Sequence, residues 1–96
     1  MIVRPLAMED IAGAAAWYEE QSPGLGEELT DEIIKAIGHA QNDPALFRIV
    51  RSRDEMRRVM TKRFPYRVYF STVQDTLYVH AVLHGAQHDK HWRERW

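Results

Sequence analysis

Cysteine is absent from this chain. The absence excludes a disulfide scaffold, a thiolate metal knuckle and a cysteine nucleophile. Long apolar runs are absent as well, and no stretch is long enough to cross a bilayer as a helix. The first twenty residues carry Arg4, Glu9, Asp10, Glu19 and Glu20 and no continuous apolar core, so they do not read as a signal peptide. A soluble cytoplasmic protein with no membrane contact is the expectation. There is no internal repeat and no low-complexity tract.

A large excess of one charge is also missing, since the net charge is -1. That near-neutral sum hides a strong asymmetry. Residues 1–46 hold two basic residues, Arg4 and Lys35, against nine acidic ones, a net of -7. Residues 47–96 hold eleven basic against five acidic, a net of +6, and four of the five histidines. Such a division suits a surface that meets a polyanion or an acidic protein, or two faces that neutralise each other within one fold.

At 96 residues the chain is one domain, residues 1–96. A chain of this length buries only about 60–65% of its unfolded surface, so the core must be lean. Apolar residues at 45% and charged residues at 28% give an ordinary globular balance.

The hydrophobic spacing changes halfway along. Residues 1–4 suit a short edge strand. A helix should begin between Leu6 and Asp10, because Ile11, Ala14, Ala15 and Tyr18 recur at helical spacing. Gln21-Ser22-Pro23-Gly24 ends it. Leu25, Leu29, Ile33, Ile37 and Ala40 mark a second helix that stops near Asn42-Asp43-Pro44. The short turn between them predicts an antiparallel hairpin. The second half reads as strands at residues 46–50, 57–63, 66–72 and 77–83. Strict alternation would place Leu77, Val79, Ala81 and Leu83 on one face of the last strand. Tyr78, His80, Val82 and His84 would take the other. The predicted architecture is a small two-layer α+β domain: an N-terminal strand, an antiparallel helical hairpin, then a C-terminal antiparallel sheet.

Phe64-Pro65-Tyr66-Arg67-Val68-Tyr69-Phe70, followed by Val79-His80-Ala81-Val82-Leu83-His84-Gly85 and ending Trp92-Arg93-Glu94-Arg95, resembles the RelE/ParE toxins. Ile11 to Tyr18 followed by Pro23-Gly24-Leu25 fits the same pattern, so the resemblance covers nearly the whole chain. It implies a βααβββ-like fold and the toxin role in a type II toxin–antitoxin pair, with a cognate antitoxin as hetero-oligomeric partner. DNA contact would then fall to the antitoxin, since the helices of this chain are acidic. The resemblance is closer to the ParE branch, whose members bind and block DNA gyrase, than to the RelE branch, whose members cleave messenger RNA on the ribosome. One departure stands out. Many relatives carry an arginine followed shortly by Asp-Pro after the last strand, where this chain reads Gln87-His88-Asp89. An inactive relative that acts only in complex formation is the reading this departure suggests.

Two sets of candidate residues follow. For binding a large target, the candidates are Arg58, Lys62, Arg63, Arg67, Trp92, Arg93 and Arg95: arginine and tryptophan most often dominate interface energy, and Lys62 adds charge. A metal-free ribonuclease instead needs a base, a phosphorane-stabilising cation and an acid. Arg58, Lys62 and Arg67 can clamp phosphate, and His84, His88 and His91 can serve as acid or base, the role histidine most often takes. On one straight strand Arg58 and Lys62 would share a face about 13 Å apart. The same basic residues also suit a merely solvated sheet face, or edge charges that discourage aggregation. His88 and His91, three apart with Asp89 nearby, permit a weak metal site, but such clusters are usually adventitious, and neither metal nor cofactor is expected.

Overall fold

The computed structural model describes residues 1–85 of the chain. In chain order they form strand β1 (Ile2–Val3), helices α1 (Pro5–Gln21) and α2 (Leu25–Asn42), and strands β2 (Arg48–Arg51), β3 (Met56–Met60), β4 (Tyr66–Val73) and β5 (Thr76–His84). The five strands make one sheet in the order β1-β5-β4-β3-β2. Every pairing is antiparallel except that of β1, which lies parallel to β5 with Ile2 opposite Tyr78 and Val3 opposite Val79. The helical hairpin covers one face of this sheet, giving the predicted two-layer α+β domain. The tail from residue 86 onward, read as a basic aromatic segment, lies outside the described residues.

Helix α1 starts at Pro5, slightly earlier than the spacing suggests. Proline suits a first helical position, because the N–H it lacks has no partner there and its φ is already helical. Helix α2 carries the stronger apolar stripe: Leu29, Ile33, Ala36, Ile37 and Ala40 are buried. Each large member of that stripe contributes about 1.5–3 kcal/mol by leaving water. They meet Val59, Tyr66, Val68, Phe70, Leu77, Val79 and Val82 from the sheet.

The hairpin is closed by two short-range devices. Gly26 sits so near α1 that a Cβ there would lie 2.4 Å from the Ala15 carbonyl oxygen. Glu19 reaches across the turn, and its carboxylate accepts the Gly24 N–H at 2.8 Å and the Gly26 N–H at 3.0 Å. The acidic side chain thereby satisfies donors that the first turn of α2 leaves without helical partners.

The sheet departs from simple alternation at one place. Tyr69 pairs with Ala81, but the next residue, Phe70, pairs with Val79, so His80 is an extra residue in β5. This β-bulge reverses the facing of the strand beyond it. Leu77 and Val79 pack toward the helices, and so does Val82, whereas Ala81 and Leu83 join Met56 and Tyr69 on the opposite face. The expectation that Leu77, Val79, Ala81 and Leu83 share one face is therefore corrected. Asp10 on α1 accepts the Val82 N–H at 2.9 Å. Its carboxylate takes the place of a neighbouring strand, because β1 is only two residues long and ends opposite Val79.

Strand β3 ends at Met60, short of the expected Arg63. Thr61 is responsible. Its buried hydroxyl donates to the Phe64 carbonyl and accepts the Tyr66 N–H at 3.0 Å, folding residues 61–66 into a tight turn. The β4–β5 turn places Gln74 and Asp75 at φ 48° and 67°, the left-handed values a two-residue hairpin loop requires.

Candidate functional site

The division of charge along the sequence becomes a division in space. Helices α1 and α2 together hold eight acidic residues and one basic residue, Lys35. The opposite face of the sheet gathers arginines. Arg48 stands directly across from Arg58, which in turn stands across from Tyr69. Met60 faces Arg67 on the same side. Arg58 and Arg67 are thus diagonal neighbours, about 7–8 Å apart at their Cα positions. Like charges directly opposite on adjacent strands destabilise a sheet. The Arg48–Arg58 pair is therefore not explained by folding.

The candidate residues do not all meet there. Arg58 and Arg67 belong to this face, and both are half-buried. Lys62 and Arg63 do not, because β3 has ended before them. Arg63 turns toward the helices, where its Nη1 lies 3.0 Å from Glu28 Oε1 and its guanidinium sits 5.1 Å from the centre of the Phe64 ring. Glu32 accepts the backbone N–H groups of Arg63 and Phe64. Lys62 borders a cleft of about 330 Å³ between this turn and α2, beside Lys35 and His39. The expectation that Arg58 and Lys62 share a strand face is corrected, and the Thr61 turn is the reason.

His84 lies on the helix side of the sheet. Its ring packs edge-on against Tyr66, with centres 5.4 Å apart. Burial, with Tyr18 beside it, pushes the Tyr66 phenol above its usual range, so this hydroxyl stays protonated at neutral pH. His80 faces the other way, with Ser71, so the two histidines do not share a face as alternation implied. A nuclease built from Arg58, Arg67 and His84 would have its cations and its proton carrier on opposite sides of the sheet. His91, Trp92, Arg93 and Arg95 lie outside the described residues, as does Gln87.

Sequence reasoning missed Arg48 and Arg51. The signal was present in Arg48-Ile49-Val50-Arg51, but only the pairing of β2 with β3 shows that Arg48 opposes Arg58. Among the described residues no group of three or more His, Asp or Glu side chains is placed to hold a metal ion. No helix in that region is long and apolar enough to cross a membrane.

A family model described as the ParE toxin of type II toxin–antitoxin system, parDE, matches residues 1–89. No curated protein matches the chain.

Proposed function

Since this chain belongs to the ParE toxin family of the RelE/ParE superfamily, and so has the toxin role in a type II toxin–antitoxin system, we propose that it inhibits growth by binding DNA gyrase without catalysis. The observation that carries the reading is the arginine face. Arg48, Arg58 and Arg67 stand on three adjacent strands beside exposed Met60, a mixture of cationic and apolar contact suited to a protein surface rich in carboxylates. The separation of His84 from those arginines favours a binding role over a nuclease role. Trp92, Arg93 and Arg95 extend the proposed surface in sequence. A cognate antitoxin neutralises it, and the exposed side of the helical hairpin and the sheet edge are its proposed docks.

The test is to induce the chain alone and follow pulse-labelled incorporation into DNA and into protein. DNA synthesis should fall first, and purified chain should block supercoiling by purified gyrase. Arg48→Glu should weaken both effects. Translation falling first would replace this reading with messenger RNA cleavage on the ribosome. Unimpaired growth would leave a role in complex formation alone.

A further inference from the structure

A second feature of the same sheet face is unrelated to the arginine stripe. A cavity of about 340 Å³ opens between the turn at Arg53–Glu55 and the β4–β5 hairpin, lined by Arg51, Asp54, Met56, Ser71, Thr72 and His80 among others. Within it the Ser71 hydroxyl lies 2.7 Å from His80 Nε2. We propose that Arg51, Ser71 and His80 form a binding site for a phosphoryl oxyanion, either free phosphate or a phosphate monoester.

Three observations support the site. The β5 bulge opens the strand beside the cavity: His80 follows inward-facing Val79 onto the open face, and as the extra residue it stands opposite no β4 partner, which leaves its ring beside Ser71. Bulges commonly re-aim a side chain at functional positions. The wall of the cavity is built from Asp54 and Glu55 at φ 62° and 46°, a left-handed conformation that non-glycine residues adopt at a cost. The donor set also fits. A guanidinium offers two parallel N–H groups to two phosphoryl oxygens, and a hydroxyl can donate to a third.

Arg4, from the β1–α1 junction, and Arg51 both act on the His80 ring, and Asp54 opposes them. Burial and the two arginines together outweigh Asp54 and hold the ring down at about 4, so it is neutral at pH 7. Glu55 is the other carboxylate at the cavity. Arg51 is kept at the wall by Asp54, with Nη2 to Oδ2 at 3.5 Å, and by a bond from its Nε to the Arg53 carbonyl at 3.3 Å. The Asp54 carboxylate is 65% exposed, so water can solvate it when Arg51 turns to a bound anion. A phosphate beside the ring supplies the charge that stabilises its protonated form.

The experiment is a proton NMR titration of the histidine rings in the full chain, with His80→Gln identifying the His80 signal. Titrations are run with inorganic phosphate, with adenosine monophosphate, with adenosine, and with chloride at matched ionic strength. Phosphate or the nucleotide should raise the His80 pKa by about one unit or more, while adenosine and chloride leave it in place. An effect of both probes identifies a site for the phosphoryl group itself, and an effect of the nucleotide alone identifies an ester site. Arg51→Gln and Ser71→Ala should each weaken binding about tenfold or more. A His80 pKa that moves no further with phosphate or nucleotide than with chloride overturns the proposal. So does full affinity in both variants.

Discussion

Replacing Gly26 with alanine should destabilise this domain, although helix propensity alone gives the opposite sign. Alanine in place of glycine favours a helix by at most about 1 kcal/mol. At position 26, however, the new Cβ would lie 2.4 Å from the Ala15 carbonyl oxygen, 3.2 Å from its carbonyl carbon and 3.2 Å from Glu19 Cβ. The first two contacts are with backbone, so no rotamer change relieves them. The helices would have to separate by roughly 1 Å, an overpacking change that costs about 1–3 kcal/mol. Separation also strains the Glu19 bonds to the Gly24 and Gly26 N–H groups. Loss of such capping costs about 1 kcal/mol. The net expectation is about 2 kcal/mol of lost stability, or a fall in Tm of roughly 10 °C for a domain of this size. Gly38 supplies the control, because it is in the same helix with nothing within 4 Å of a built Cβ. Gly38→Ala should raise Tm by roughly 4–8 °C. Thermal melts of the two variants, followed by circular dichroism, test the pair. A Gly26→Ala protein that melts at or above the parent would refute the close-approach argument.

Arg48→Glu should reduce toxicity yet raise stability by about 0.2–1 kcal/mol, because it replaces a like-charge cross-strand pair with an opposite-charge one; urea titration beside a growth assay reads both signs. Asp10→Ala should cost about 1–3 kcal/mol, since it strips the Val82 N–H of its acceptor, whereas Asp10→Asn, which keeps an acceptor oxygen, should lose less in the same titration. Asp75→Gly should stabilise the β4–β5 hairpin by about 1 kcal/mol, the cost of a left-handed conformation at a non-glycine residue, measurable as a higher denaturant midpoint. His80 contributes a pH dependence. Burial, then Arg4 and Arg51, lower its pKa from 6.5 to about 4. The unfolded chain therefore binds the extra proton first, so the contribution is full above pH 6.5 and is lost as pH falls toward 4. His80→Gln should flatten that part of the stability profile.

The local regularities of this chain are enough to fix its elements. The stripe from Leu29 to Ala40 has the spacing of a helix that must bury one face, and Pro23-Gly24 and Pro44 stop helices by their backbone chemistry alone. Tyr66 to Phe70 carries its strand preference in its own side chains. The two-layer α+β arrangement follows from that order of elements, and the family resemblance from particular segments such as Phe64 to Phe70 and Val79 to Gly85. Facing and register are different, because they depend on which residues meet across space. Nothing near His80 in sequence announces a bulge, which exists only in the pairing of β5 with β4. The end of β3 depends on a hydroxyl that bonds to Phe64 and Tyr66 after the chain has turned. Residues near in sequence, such as Arg58 and Arg63, part company there, one to the open sheet face and one to Glu28 on α2. Arg48 and Arg58, ten positions apart, become direct neighbours. Composition and periodicity reveal that the second half is basic. Only the sheet pairing decides which of its charges form one surface, because an inserted or unpaired residue reverses the facing of every residue beyond it.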